Sequence, residues 1–284
     1  MIAITNLAAL LFLFIPSAIA FIRSPSFPPE PARMWRSVLQ PGDWYQDAMN
    51  TGSEYAATRQ IAFTGDRVVV VFDAGQAPYQ GRQPMSNYRI VSVDARTGTK
   101  TSEIDFVGHW GSIPYIYAAQ DGHIDMQSDP PRVLNPDLTN ALAVASAARD
   151  ELRVVAARQE SPNAFDPTRW KLGGQRTLRI EGDEFRVLDR AGNTVTKGKM
   201  VESGVYAGAS QDGTRFAIES RYGEGDPMFL VYEYFTIYSS DSGVAVASIW
   251  VRDLPAHQSW SALSPDGRYF IAGKPGDLRM YSVP

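Results

Sequence analysis

The feature that most restricts this chain is a short hairpin signature that returns along it. Ser210-Gln211-Asp212-Gly213-Thr214-Arg215-Phe216 and Ser264-Pro265-Asp266-Gly267-Arg268-Tyr269-Phe270 are near copies. Each places an Asp-Gly pair where a tight turn needs a backbone that tolerates positive φ. Related turns stand at Gly65-Asp66, Asp121-Gly122 and Asp150-Glu151. A second signature alternates with the first. It is a strand running into a polar turn, at Arg89–Asp94, Arg132–Asn135, Phe185–Asp189, Phe235–Ser239 and Arg279–Val283. Gly98, Gly192 and Gly243 close three of these turns before another strand begins. Five pairs of signatures make a repeat protein, and repeats decide a fold before single elements do.

Between the turns lie β-branched and aromatic runs: Arg67–Phe72, Tyr88–Val93, Phe185–Leu188, Met228–Tyr238, Ala245–Val251 and Tyr269–Ala272. Such runs bounded by Gly and Asp read as strands. The Ala-rich stretch Asn140–Leu152 is read as loop leading into strand, so the predicted class is all-β.

The alternation resembles the WD40-like, YVTN-like and quinoprotein-like β-propeller repeats, in which a strand-SPDG-strand hairpin precedes a strand-D-x-x-T/S-G-strand hairpin. It covers roughly residues 55–284 and is sharpest in the last two copies. The Trp-Asp dipeptide and Gly-His start of WD40 repeats are missing, and Asp212 and Asp266 lie 54 positions apart, longer than the roughly 40–45 of WD40. The resemblance therefore implies a generic β-propeller of about five blades, within a range of five to seven, each a four-stranded antiparallel sheet. Small sheets hide their apolar faces only if the last packs on the first. The final blade lacks an outermost strand, so a segment within Trp35–Ala48 is expected to return and supply it.

Upstream of this domain, placed at 35–284, residues 1–20 read as a signal peptide. Ala8–Ile19 is apolar apart from Pro16 and Ser17, and Ala18-Ile19-Ala20 fits a signal peptidase. Met1–Asn6 carries no Lys or Arg, which keeps an uncleaved N-terminal anchor open. Residues 21–34 form a Pro-rich linker with Pro25, Pro28, Pro29 and Pro31. Once the signal is cleaved no membrane span is expected, and the predicted location is secreted or periplasmic.

Composition removes several chemistries. With no Cys there is no disulfide, thiolate nucleophile or Cys-ligated metal. Lys plus Arg number 27 against 31 Asp plus Glu, with no long basic run, so a nucleic-acid partner is not expected. The G-x-S-x-G, H-E-x-x-H, P-loop and S-x-x-K motifs are all missing. The Asp residues at 66, 94, 121, 150, 189, 212 and 266 read as turn formers whose oxygens accept backbone N–H groups.

Three His remain. His123 begins a strand, while His109 and His257 fall in connections between an outer strand and the next inner strand, accompanied by Trp110 and Trp260. The binding-face candidates are His109, Trp110, Tyr206, His257 and Trp260. The long loops assigned to that face are Ala74–Asn87, Arg158–Gly174 and Arg221–Pro227. The expected function is a non-enzymatic extracytoplasmic module that binds a protein, peptide or glycan, with no metal or cofactor. The alternative is a propeller hydrolase or lyase, possibly metal-assisted, using His109 and His257 with a loop carboxylate.

Overall fold

The computed structural model describes residues 27–39, 61–80, 83–109, 115–118, 122–127, 132–139, 169–201, 203–222, 232–251, 260–274 and 277–284. Residues 1–20, read above as a signal peptide, residues 21–26 of the stretch read as a linker, and Asp150-Glu151 lie outside them. Among the described residues every regular element is a strand, and the strands pair into five antiparallel sheets. The first sheet is β2 (Ile61–Thr64), β3 (Arg67–Gln80), β4 (Gln83–Asp94) and β5 (Lys100–His109). The second is β6 (Tyr115–Ala118), β7 (Ile124–Gln127) and β8 (Arg132–Leu134). The third is β9 (Arg169–Leu172), β10 (Arg176–Glu181), β11 (Glu184–Leu188) and β12 (Thr194–Lys199). The fourth is β13 (Gly204–Ala209), β14 (Arg215–Tyr222), β15 (Tyr232–Ser239) and β16 (Ala245–Val251). Each of these runs strand by strand in chain order.

The fifth sheet breaks that order. It holds β17 (Trp260–Leu263), β18 (Tyr269–Lys274) and β19 (Asp277–Ser282), and its outer strand is β1 (Arg33–Val38), laid antiparallel on β19. The first strand of the described chain thus completes the last sheet, in the place expected for it. Arg36 fixes the register, donating through two nitrogens to the Asp277 carboxylate at 2.7 and 2.6 Å. Trp35 ties the same strand to the first sheet. Its indole N–H donates to the Ala95 carbonyl at 2.8 Å, and its ring lies under Gly98, where a Cβ would come within 2.6 Å of it. Gly98 also has φ +71°, so this turn needs glycine on two counts. Phe27 reaches the other neighbour, standing edge-on to Tyr234 and Trp250 of the fourth sheet.

The valine runs are explained by burial on both faces. Successive strand side chains point to opposite sides, and here both sides are covered. Val68 and Val70 pack with Ile271, Leu278 and Met280 of the fifth sheet, while Val69 and Val71 pack with Ile116, Ile124 and Met126 of the second. In the fifth sheet Ile271 faces the first sheet and Phe270 faces Phe235 and Ile249 of the fourth. A further core joins Trp170, Leu178 and Phe185 of the third sheet to Phe216, Ile218 and Tyr238 of the fourth. The cores therefore lie between sheets, in the sequence third–fourth, fourth–fifth, fifth–first and first–second. This all-β arrangement of separate sheets packed in succession is consistent with a β-propeller.

The two hairpin signatures build two turns. In the first, the Ser210 hydroxyl donates to Asp212 at 2.6 Å and accepts the Arg215 N–H at 3.0 Å; Ser264 does the same for Asp266 and Tyr269, at 2.7 and 2.9 Å. In the second, Asp94 accepts the Arg96 and Thr97 N–H groups at 3.0 and 2.8 Å, and Asp189 accepts that of Asn193 at 2.8 Å. Hydrogen bonds from Thr97 hold the Asp94 carboxyl below its ordinary pKa.

Of the stretches assigned to loops, one is mostly strand and the described end of another is strand, its residues 158–168 lying outside the described residues. Ala74–Asn87 is mostly the far end of the β3–β4 hairpin, which accepts Gly75 and Pro78 because the register shifts between Asp73 and Gln76 and between Ala77 and Gln80. Such bulges take residues a regular ladder rejects. The other is Arg158–Gly174, whose end forms β9, with Trp170 and Leu172 buried and Arg169 and Lys171 exposed.

Candidate functional site

The first strands of all five sheets converge on one cavity of about 230 Å³. Short contacts between neighbouring hairpin turns bring them there. Gly173 of the third sheet lies so close to Gln211 and Gly213 of the fourth that a Cβ on it would strike their backbone. The Asp212 N–H donates to the Pro265 carbonyl of the fifth sheet at 3.1 Å, and the Thr64 hydroxyl donates to the Gly122 carbonyl of the second at 2.5 Å. The inner strands β13, β17, β2 and β6 follow one another side by side.

The lining has an aromatic part and a polar part. Trp170 on β9 and Tyr206 on β13 stack with ring centroids 4.8 Å apart and 24° between planes. Trp170 is buried and Tyr206 half-buried. Phe63 on β2 and Leu263 on β17 are buried, while Lys171, Gln211 and Ala118 are exposed. Ser210 and Ser261 add buried hydroxyls. Lys171 is the one charged side chain among the described lining residues. They offer donors, acceptors and an aromatic face, which is the chemistry of recognition.

The residues singled out from sequence fare differently. Tyr206 lines the cavity. Trp260 is the first residue of β17, paired with Gly273, next to the lining residues Ser261 and Ala262. His109 is the last residue of β5, opposite Met85, not in a connection, because the bulged β3–β4 hairpin draws β5 out with it. It thus ends the outermost strand of the first sheet, three strands from the cavity. Trp110 and His257 lie outside the described residues. His123 precedes β7 and is half-buried. No group of three or more His, Asp or Glu able to hold a metal occurs among the described residues. Trp170 was missed by sequence reasoning. The available signal was the alternating Arg169-Trp170-Lys171-Leu172 before the Gly173-Gly174 turn.

No family model and no curated protein matches the chain. Solved structures do. The β-propeller domain of the Trilobed protease from Pyrococcus furiosus is 12% identical, covering 78% of this chain and 68% of that one, with a TM-score of 0.26. The WD40 domain of Neurospora crassa Pan2 is 7% identical, covering 90% and 98%, at 0.34. A gluconolactonase from Xanthomonas campestris is 10% identical, covering 92% and 99%, at 0.28. These neighbours mix enzymes with a WD40 domain and carry nothing about activity. At such TM-scores the fold rests on the strand pairing and inter-sheet cores described above.

Proposed function

We propose that this chain is a five-bladed β-propeller, closed by its N-terminal strand, that acts as an extracytoplasmic binding module and takes one ring-sized group of a peptide, protein or glycan into its axial cavity. The observation that carries the reading is the cavity itself. It is lined by one strand from every sheet, and a stacked Trp-Tyr pair forms part of its wall. Its volume, about 230 Å³, exceeds the ~150 Å³ that holds a benzene ring. It falls below the ~300–1,000 Å³ of sites that enclose a whole small molecule. An inserted side chain or a single sugar ring matches that size, with the rest of the ligand remaining outside. Export is supported by the apolar Ala8–Ile19 run and the Ala18-Ile19-Ala20 site.

The test is a screen of peptide and glycan arrays, followed by calorimetry of each hit against Ala118→Trp. Ala118 is exposed and lines the cavity, so the indole fills space without disturbing a core. Hits that lose at least tenfold in affinity support the axial site; hits that bind the plugged variant as they bind the parent chain refute it. Edman sequencing of the exported protein should begin at Phe21, and a retained Met1 would defeat cleavage.

A further inference from the structure

The apolar core between the fourth and fifth sheets stops short of their outer rim. On the face of the fifth sheet turned to the fourth, Phe270 lies opposite Tyr281 and Tyr281 opposite Arg33. In the next row Ala272 lies opposite Arg279 and Arg279 opposite Arg36. Phe270, Ala272 and Tyr281 belong to the core shared with Ile249 and Val251 of the fourth sheet. The outer strand β1 then supplies arginines where an apolar row would have continued. Beyond the core a cleft of about 500 Å³ opens between β1, β19 and β16, and its described lining includes Glu30, Arg33, Arg36, Trp250, Arg279 and Tyr281. Unlike the axial cavity, it falls within the ~300–1,000 Å³ of sites that enclose a whole small molecule.

The charged groups of the cleft divide into two sets. Arg36 and Arg279 are drawn to Asp277, at 2.6 and 3.3 Å. Arg279 is 9% exposed and also donates to the Tyr281 hydroxyl. Burial pushes the Tyr281 phenol up, so it keeps its proton at neutral pH and can donate it to a ligand. Glu30 and Arg33 act on that same phenol in opposite directions, Glu30 raising its pKa and Arg33 lowering it. Both are exposed, and among the described residues neither closes an ion pair with the other or with Asp277. A cation and an anion thus stand beside one hydroxyl donor. Trp250 gives the cleft an aromatic wall. Its half-buried indole stacks on Tyr234 at 4.7 Å between centroids, with Phe27 edge-on at 5.0 Å, which fixes the ring before any ligand arrives.

We propose that this cleft binds a small zwitterion, a free α-amino acid or short peptide with an apolar or aromatic side chain. Arg33 and the Tyr281 hydroxyl take its carboxylate, Glu30 takes its ammonium group, and Trp250 carries its side chain. The cleft itself selects this class. A phosphate dianion would stand close to the Glu30 and Asp277 carboxylates, whose like charge opposes it. A neutral sugar would cover the Arg33 and Glu30 charges without pairing either, at a cost in desolvation. The cleft is built on outer strands and the axial cavity on first strands, so either reading can fail alone.

The experiment is a calorimetric titration of the full chain with L-phenylalanine, L-leucine and the dipeptide glycyl-phenylalanine. Phenylalaninamide, which lacks the carboxylate, and 3-phenylpropionate, which lacks the ammonium group, are run beside them. The expected result is saturable binding of at least one zwitterion, with both truncated analogues weaker than phenylalanine by roughly ten- to a hundredfold. That comparison needs no substitution. Arg33→Gln should weaken phenylalanine by a similar factor and leave the amide unchanged, and Glu30→Gln should do the same with 3-phenylpropionate as the insensitive ligand. Both residues are exposed and lie outside the Arg36–Asp277 clasp, so both variants should melt like the parent chain. Ala118→Trp, which plugs the axial cavity, should leave this binding intact. Tighter binding of a free amino acid than of the dipeptide assigns the former as the ligand, the reverse assigns a peptide, and each supports the zwitterion site. The proposal is overturned if none of the three zwitterions binds at millimolar concentration, or if the two analogues bind as tightly as phenylalanine. It is equally overturned if both charge variants bind phenylalanine like the parent chain, or if inorganic phosphate or Ala118→Trp abolishes the binding.

Discussion

Replacing Trp35 with Ala tests the closure of the last sheet on the first. Trp35 is 8% exposed and packs among Ile61, Phe63, Val93 and Met280, so it touches both sheets at once. Truncating a buried Trp to Ala costs about 3–5 kcal/mol, as transfer energy and the cavity left behind add together. Loss of the 2.8 Å bond to the Ala95 carbonyl adds about 1 kcal/mol. At about 2–4 °C per kcal/mol for domains of 150–250 residues, the combined cost of about 4–6 kcal/mol should lower the melting temperature by roughly 8–24 °C. Trp35→Phe keeps most of the packing and should recover well over half of the loss. Gly98 supplies an internal control, because a Cβ there collides with the Trp35 ring. Gly98→Ala should therefore be less damaging beside Trp35→Ala than alone, with a coupling of about 1 kcal/mol or more in a double-mutant cycle. Urea unfolding followed by circular dichroism measures all four corners. A Trp35→Ala cost below about 1 kcal/mol, or strict additivity with Gly98→Ala, would show that this contact does not hold the two sheets together.

Two other substitutions probe the turns and the clasp. Gly173→Ala should destabilise the chain by about 1–3 kcal/mol or more, since the added methyl meets the Gln211 carbonyl, which cannot swing aside as a side chain would; a melting temperature within about 1 °C of the parent would contradict this close approach. Burial alone would raise the pKa of Asp277, yet hydrogen bonds from Arg36 and Arg279 outweigh it and hold the carboxyl below its ordinary value. A depressed carboxylate stabilises the fold above its unfolded pKa of about 3.9 and loses that contribution as pH falls through the folded value. Asp277→Asn should thus be less stable than the parent chain at pH 7, and the gap should close below pH 4, a range set roughly by that unfolded value; a gap that persists in acid would mean the charge of Asp277 contributes nothing.

The fold was legible where the chemistry is local. Ser210, Asp212 and Gly213 encode their turn through bonds within six residues, whereas the turn that opens the third sheet is Gly173-Gly174 and not the Asp150-Glu151 pair read from sequence, which lies outside the described residues. The return of an N-terminal strand also followed, because an incomplete last sheet demands a partner. Loop assignments failed where bulges admitted Gly75 and Pro78 into a ladder, since single-residue preference cannot foresee a register shift. The site was harder. Tyr206 and Trp170 meet only because Gly173 and Gly213 let two hairpins touch, a tertiary fact invisible in either segment. His109 attracted attention as a rare residue type, but residue chemistry alone does not reveal which strand of a sheet carries it.

Pairing β1 with β19 also sets a delay during synthesis. Arg36 and Asp277 are 241 positions apart, and a ribosome adding ~5–20 residues per second needs about 12–48 s to bridge that gap. Throughout that interval the nascent Arg33–Val38 segment has no β19 to join, and the tryptophan it carries has no complete pocket. A holdase that shields the emerging amino-terminal region would act at the moment when this chain is most prone to pair with a neighbour on the same polysome.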